Sequence, residues 1–224
     1  MTPEAERWDA ELAERASPPP LLQSWAWGVV QSRTGWDLER VRLPGGAMAS
    51  VQVRSLGPVK EAYVPRGRLP ATADAVRDLV AWARGRRFAR LRIEPEAGPD
   101  AATYLRDLGF QPTEPTQPAN TRILALGDPA AVLGSFDRGT RYNIRLSERR
   151  GVKVAEGREA QVLAELSAAV EQRESISLPG AAYYDLLLGT LPWCRTYVAR
   201  HPETDAPLCA VLVARHAGRE YNLF

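Results

Sequence analysis

Four arginines in the second half of the chain have the spacing of one helical face. In the segment 138–153, RGTRYNIRLSERRGVK, they stand at offsets of 0, 3, 7 and 11 residues: Arg138, Arg141, Arg145 and Arg149. At 3.6 residues per turn, these offsets place all four guanidinium groups on one side of a helix. Like charges at this spacing repel one another, so an anionic ligand explains the face better than folding does. The alternative is a solvated surface helix, because charge runs are usually solvated faces.

The overall charge limits what that ligand can be. The chain has 29 basic and 27 acidic residues, a net charge of +2, and its only lysines are Lys60 and Lys153. A net charge this small argues against a general nucleic-acid coat. The excess of arginine over lysine is more typical of genomic base composition than of function, so arginine clusters alone prove little.

The composition predicts a soluble globular protein. With 224 residues, 45% hydrophobic and 25% charged, the chain can form one or two packed domains. Cys194 and Cys209 form no C-x-x-C pair, which favours a reducing, cytoplasmic compartment. The N-terminus, MTPEAERWDAELAERA, has no apolar core of a signal peptide, and no run reaches the roughly 20 apolar residues of a membrane span.

The first half of the chain reads as helices followed by a meander of strands. Thr2 is a predicted N-cap, and the hydrophobic periods and turn residues predict a further helix, a hairpin around the PGG turn, and alternating helices and strands. The predicted helices are residues 3–16, Leu21–Arg33, Thr72–Arg87 and Ala101–Leu108. The predicted strands are Leu38–Leu43, Ala49–Val53, Glu61–Pro65, Arg90–Glu94 and Thr121–Leu126.

The second half repeats much of this order. After a short helix capped by Asp128, the basic helix and a strand at Val152–Ala155, we expect helices at Glu159–Arg173 and Ala181–Leu188. Three strands complete the pattern: Thr196–Arg200, Leu208–Arg215 and Glu220–Phe224. The sequence therefore predicts two similar α/β lobes, residues 1–126 and 127–224, of which the second lacks the closing helix and strand. A terminal strand edge of this kind favours association.

Motifs of known catalytic and cofactor sites are weak or absent in the sequence. Arg42, Gly45 and Ala47 fit the R-x-x-G-x-A pattern of acetyl-CoA-binding acetyltransferases, but a predicted strand follows where that pattern needs a helix, so we expect a hairpin turn. His201 and His216 are the only histidines and have no convergent ligands for a metal. The chain contains no G-x-S-x-G, P-loop or G-x-G-x-x-G motif.

Two further sets of residues leave alternatives open. Glu94, at the end of a predicted strand, could be a catalytic carboxylate, although an ion pair with Arg92 or another arginine is the favoured interpretation. The tryptophans could stack on a nucleotide or a sugar, although in amphipathic segments they are more often core residues: Trp25, Trp27, Trp36 and Trp82.

Five strings, in order across nearly the whole chain, resemble the Fem family (FemA, FemB, FemX) of peptidoglycan aminoacyltransferases. They are LLQSWAWG with a following GW, YVPRG, RIEP, GF with QPxxT, and RYNIRLSxxxGV; they begin at Leu21, Tyr63, Arg92, Gly109 and Arg141. The resemblance implies two acetyltransferase-like (GNAT-like) lobes with mixed sheets, an α/β (α+β) fold whose second lobe is incomplete here. It also implies transfer of an amino acid from aminoacyl-tRNA to the peptide stem of a peptidoglycan precursor.

The resemblance also assigns partners and a site. The expected precursor is UDP-MurNAc-peptide or lipid II, bound without metal, acyl-CoA or other cofactor. Cytoplasmic location, peripheral contact with the inner face of the membrane, and a homodimer or complementing chain are compatible with it. A non-catalytic fragment that binds muropeptide or tRNA is the alternative function, and an acyl-CoA N-acetyltransferase is a weaker one.

The predicted substrate-binding residues centre on the arginine face. The resemblance places the precursor diphosphate on the segment that matches Arg141–Arg145, and the full predicted set is Arg138, Arg141, Tyr142, Asn143, Arg145 and Gln31. Gln31 stands where relatives often carry a phosphate-binding Lys, and Arg68 where they often carry Pro. No catalytic residue is assigned, and the family continues beyond the position that matches Phe224.

Overall fold

The chain divides into two compact units, Met1–Ala119 and Asn120–Phe224. A computed structural model describes residues 2–67, 73–95, 101–191 and 193–224. The division falls ahead of the segment 121–126, which the sequence analysis assigned to the first lobe. Thr72 and Arg68 lie outside the described residues.

The first unit is a four-stranded sheet with helices before and after the hairpin strands. Its helices are α1 (Pro3–Arg15), α2 (Trp25–Ser32), α3 (Ala73–Gly85) and α4 (Ala101–Asp107). Its strands are β1 (Asp37–Arg42), β2 (Met48–Leu56), β3 (Val59–Gly67) and β4 (Arg90–Pro95). The order is β1-β2-β3-β4; the first three strands are antiparallel, and β4 lies parallel to β3 after the crossover through α3.

The predicted helix over Leu21–Arg33 is broken at Ser24. Leu21–Gln23 form a 3-10 turn, and the Ser24 hydroxyl accepts the Trp27 N–H at 3.2 Å, so α2 begins at Trp25. Ser24 is an ordinary N-cap, which is why the chain changes direction there. The PGG segment does form a hairpin turn, closed by the Leu43 N–H on the Ala47 carbonyl at 2.7 Å. The structure therefore agrees with the hairpin interpretation of Arg42, Gly45 and Ala47.

Apolar side chains fill the space between the sheet and α3. Alternate strand residues point to opposite faces, and the face toward α3 carries the valines and alanines of β2 and β3. Val51, Val64 and Leu79 are fully buried in this core. On the other side, Trp8 and Leu12 of α1 pack with Met48. Trp8 of α1 and Ala75 of α3 are buried, and Trp82 of α3 packs partly buried against the core.

The second unit contains an entirely antiparallel sheet. Its helices are α5 (Pro129–Ser135), α6 (Arg138–Arg149), α7 (Ala160–Glu174) and α8 (Ala181–Thr190). Its strands are β5 (Lys153–Gly157), β6 (Cys194–Arg200), β7 (Pro207–His216) and β8 (Arg219–Asn222), paired in that order. Helices α7 and α8 pack on the face that carries Thr196, Val198 and Leu212, all three fully buried.

The strand predicted over Thr121–Leu126 does not form. Among the described residues no strand pairs with this segment, which is irregular and leaves Ile123 71% and Leu126 69% exposed. A strand needs a hydrogen-bonding neighbour, and alternating apolar residues alone do not supply one.

Candidate functional site: the arginine face and the Tyr63–Glu94 pair

The basic segment folds as the helix α6. The Asp137 carboxylate caps its N-terminus, accepting the Thr140 N–H at 2.9 Å and the Thr140 hydroxyl at 2.6 Å. These bonds to Thr140, the hydroxyl first and the main chain second, lower the pKa of Asp137. Asp137 also places a negative charge at the positive end of the helix dipole. Sequence-local capping therefore fixes where the arginine helix begins.

The four arginines lie on one side of α6. Successive residues are 100° apart, so the offsets 0, 3, 7 and 11 fall within an arc of about 80°. Arg138, Arg145 and Arg149 are exposed and have no ion-pair partner within the part of the chain that the structure describes. No residue of α6 is buried. The face is therefore accessible to an anion, and its charges are not neutralised by neighbouring carboxylates.

Arg141 differs from the other three arginines. Its Nη1 donates to the carbonyl oxygens of Gly134, at 3.3 Å, and of Phe136. These carbonyls lie at the end of α5, so Arg141 ties α5 to α6 and is half-buried. It can offer an anion only the rest of its guanidinium group. The central member of the predicted site thus has a structural role as well.

Tyr142 and Asn143 lie at different positions around α6. Tyr142 is next to the arginine face and is 56% exposed, so its ring and hydroxyl are available beside the charges. Asn143 lies about 140° around the helix from Arg138 and faces away from the arginines. The helix therefore groups Tyr142 with the basic face and separates Asn143 from it.

Gln31 belongs to the first unit. It lies near the end of α2, and its main-chain carbonyl accepts the N–H groups of Thr34 and Trp36, at 3.0 and 3.3 Å. Its side chain is partly exposed. Gln31 and α6 therefore belong to different units of the chain.

A second polar cluster, in the first unit, contains Glu94. Its Oε2 accepts the Tyr63 hydroxyl at 2.5 Å, and its carboxylate also accepts the main-chain N–H groups of Thr116 and Gln117. Arg92 instead donates to the Thr116 hydroxyl at 2.6 Å and to the Glu114 carbonyl at 3.0 Å. Glu94 and Arg92 therefore do not form the favoured ion pair: they lie two residues apart on the same face of β4, and each binds the loop 113–118 separately.

Tyr63 is the residue that sequence reasoning missed. Burial, followed by the hydrogen bond to Glu94, raises the pKa of Tyr63, so the phenol stays protonated and donates to the carboxylate. Its ring also lies 6.1 Å from that of Trp36, whose other neighbour is the Arg54 guanidinium at 5.0 Å. Trp36 is thus a half-buried aromatic residue in a polar cluster, whereas Trp27 is a buried one. The sequence contained a signal for this pair. YVPRG lies at the end of β3 and RIEP at the end of β4, and these two strands pair in parallel.

The described residues contain no group of three or more His, Cys, Asp or Glu side chains arranged to hold a metal ion. No described helix is long and apolar enough to cross a membrane.

These observations define a class of fold: two α+β lobes in one chain, each with helices preceding an antiparallel meander. The chain matches no known protein-family model and no curated protein. Among solved structures it is similar to a crystal structure of FemX, with a TM-score of 0.71 and 20% sequence identity. The match covers 89% of this chain and 57% of the FemX chain. The fold implied by the Fem resemblance, tandem GNAT-like α+β lobes, is therefore confirmed, and this chain spans little more than half the length of FemX.

Proposed function

We propose that this chain acts in peptidoglycan bridge synthesis, as a Fem-type aminoacyltransferase that takes an amino acid from aminoacyl-tRNA. The acceptor is the peptide stem of UDP-MurNAc-pentapeptide or lipid II. The observation that carries the proposal is the unneutralised arginine face of α6 on a fold shared with FemX. A fold alone does not determine function, so the proposal depends on this basic face. It suits both substrates because both are polyanions.

The arginine face suits the diphosphate of the precursor. Guanidinium groups can grip phosphate oxygens in pairs, and Arg145 and Arg149 are exposed one turn apart on the same side. Tyr142 beside them can contact the ligand with its ring or hydroxyl. Arg141 holds the helix in place through the α5 carbonyls and adds a part of its charge.

The proposed reaction is acyl transfer between two bound substrates. The neutral stem amine attacks the ester carbonyl of aminoacyl-tRNA, an amide bond forms, and the ribose oxygen leaves with the proton that the amine loses. Holding both substrates in contact supplies much of the rate of such a reaction. The location consistent with this chemistry is the cytoplasm, at the inner face of the membrane if lipid II is the acceptor.

A second function is binding of the precursor or tRNA without transfer of the amino acid. The arginine face supports it as well, because binding an anion needs no catalytic group. Incubation with the precursor and radiolabelled aminoacyl-tRNA separates the two functions: labelled muropeptide supports transfer, and precursor binding without labelled product supports the binding function.

The phosphate role is tested by titrating the chain with UDP-MurNAc-pentapeptide, with UDP as the reference ligand. We expect Arg145→Ala to weaken precursor binding about tenfold, the size of one exposed charge-assisted bond. The matched control is Arg150→Ala, because Arg150 is exposed at the C-cap of the same helix but lies off the arginine face. Equal affinities of the two variants, with unchanged circular dichroism, would remove the proposed role of the face.

A further inference from the structure

Strand β4 is an edge of the first sheet. It pairs with β3 on one side, and no strand pairs with its other side among the residues that the structure describes. An unpaired edge presents a row of main-chain N–H and C=O groups to which another extended segment can bind. In β4 this row runs over six residues, Arg90–Pro95, about 20 Å of strand.

A groove of about 920 Å³ follows this edge, and all six residues of β4 line it. One wall is apolar and comes from α3, α4 and the turns that follow them: Val80, Ala83, Phe88, Leu105, Leu108 and Phe110. The other wall is the loop 113–118, which Arg92 and Glu94 hold on the opposite face of the strand. A strand placed in this groove would therefore meet an apolar wall on one face and a polar wall on the other.

The charged residues of the groove are mostly basic. Five arginines and two glutamates line it: Arg66, Arg84, Arg90, Arg92, Arg106, Glu94 and Glu114. Glu94 is already bound by Tyr63 and the loop N–H groups. Arg84 and Arg106 are exposed in the last turns of α3 and α4. The ligand that complements this rim carries negative charge.

From these features we infer that the β4 groove binds an extended, acidic polypeptide segment as an additional strand. Apolar side chains at every second position of that segment pack against α3 and α4, and the acidic side chains between them face the basic rim and the loop 113–118. Main-chain pairing supplies affinity, and the alternation supplies specificity. The inference concerns the first unit only and is independent of the role of α6.

The test uses the full chain and a fluorescein-labelled peptide, Glu-Val-Glu-Val-Glu-Val-Glu, followed by fluorescence anisotropy. We expect saturable binding of this peptide. Binding should be at least about tenfold weaker for two controls: a Lys-Val peptide with the same alternation, and a scrambled peptide in which the valines stand together. Bound peptide slows hydrogen–deuterium exchange in the segment 90–95. Equal binding of the scrambled peptide, or unchanged exchange in that segment, overturns the inference.

Charge reversal at the rim provides the protein-side control. The double variant Arg84→Glu/Arg106→Glu should bind the Glu-Val peptide about tenfold more weakly and the Lys-Val peptide more tightly, because the charge of the rim is reversed. Both side chains are exposed, so the fold should be unchanged. Arg7→Glu/Arg150→Glu changes the net charge equally but leaves the groove intact. Equal loss in both variants shows a non-specific charge effect and contradicts the proposed site. A second copy of the chain could instead place its exposed segment 121–126 in the groove. Self-association that competes with the peptide and disappears in Ile123→Asp would show this, and it also contradicts the proposed acidic ligand.

Discussion

The two units differ in how completely helices cover the two faces of their sheets. In the first, α2 lies against one face, so closely that a Cβ at Gly28 would meet the side chains of Leu38 and Arg40, and α3 covers the other with a continuous apolar core. In the second, α7 and α8 cover the face of Leu212, whereas Val154 on the opposite face is 66% exposed. Burial of apolar surface is the main favourable term in folding, so equivalent side chains in the two sheets should contribute differently to stability.

The largest expected difference is between two valines, one in β2 of the first sheet and one in β7 of the second. Val51 is fully buried against the α3 core, and Val211 is only partly buried on the open face. We expect Val51→Ala to lower the free energy of unfolding by about 2–3 kcal/mol and Val211→Ala by less than about 1 kcal/mol. The loss in Val51→Ala is measured by urea unfolding followed by tryptophan fluorescence, because five of the six tryptophans are in the first unit. The loss in Val211→Ala is measured by hydrogen exchange of the segment 207–216.

Equal costs for the two valines would contradict this comparison. That result would mean that the open face of the second sheet is covered in solution, for example by another copy. Repeating the urea titration at two protein concentrations separates the possibilities, because a cover supplied by a second copy makes stability depend on concentration.

The fold was largely predictable because its signals are local. Asp137 caps a helix whether or not anything binds it, and the periodic apolar residues of α1 and α3 bury themselves as their spacing requires. The Thr121–Leu126 strand failed for the opposite reason. Its residues have strand-like alternation, but strand formation depends on a neighbour that no local pattern reveals.

The candidate sites were predictable only in part. The arginine face follows from residue spacing, but the bonds from Arg141 to the α5 carbonyls depend on how two helices meet. Glu94 was a candidate with the wrong partner, since Tyr63 is 31 residues away in sequence and reaches it only through the parallel pairing of β3 and β4. Non-local pairing of this kind is not encoded in either string alone.

The second prediction concerns the Glu94 cluster, whose counterpart in the second unit is an exposed pair, the Tyr197 hydroxyl on Glu156 at 3.1 Å. Glu94→Gln should cost about 1.5–3 kcal/mol, because an amide offers one acceptor oxygen where the carboxylate accepts the Tyr63 hydroxyl and two loop N–H groups. Urea unfolding measures the loss, and faster hydrogen exchange at Thr116 and Gln117 locates it. The control Glu114→Gln changes an exposed carboxylate in the same loop. A similar loss in the control would show that charge, not the hydrogen-bonded cluster, is responsible.

The third prediction contrasts the two cysteines of the second unit. Cys194 is fully buried, and burial raises the pKa of its thiol from 9.0 to about 11, whereas Cys209 is exposed. A raised folded-state pKa contributes stability that is complete below the ordinary value and is lost as pH rises through about 11. We expect this loss to reach about 1 kcal/mol by pH 10. The free energy of unfolding, measured from pH 7 to 10, should fall less steeply in Cys194→Ala than in the unmodified chain. An equal change of slope in Cys209→Ser would exclude Cys194 as the source.

The smallest expected effect concerns a helix that begins without a side-chain cap. In the second unit, Asp137 caps α6, whereas α8 starts at Gly180 without a side-chain cap. Gly180 has a negative φ of −84° and open space where a Cβ would be. A serine there can accept a helix N–H and also reduces the entropy of the unfolded chain, so Gly180→Ser should stabilise the second unit by about 0.5–1 kcal/mol.

Gly180→Ala separates the two contributions to that gain. Alanine reduces the entropy of the unfolded chain but caps poorly, so it should stabilise less than serine. Hydrogen exchange of the segment 181–190 follows the change where it occurs. If serine and alanine stabilise α8 equally, the gain comes from the unfolded chain and not from a cap. A difference in stability between the two units then has to come from the faces of their sheets, where the two valine variants measure it directly.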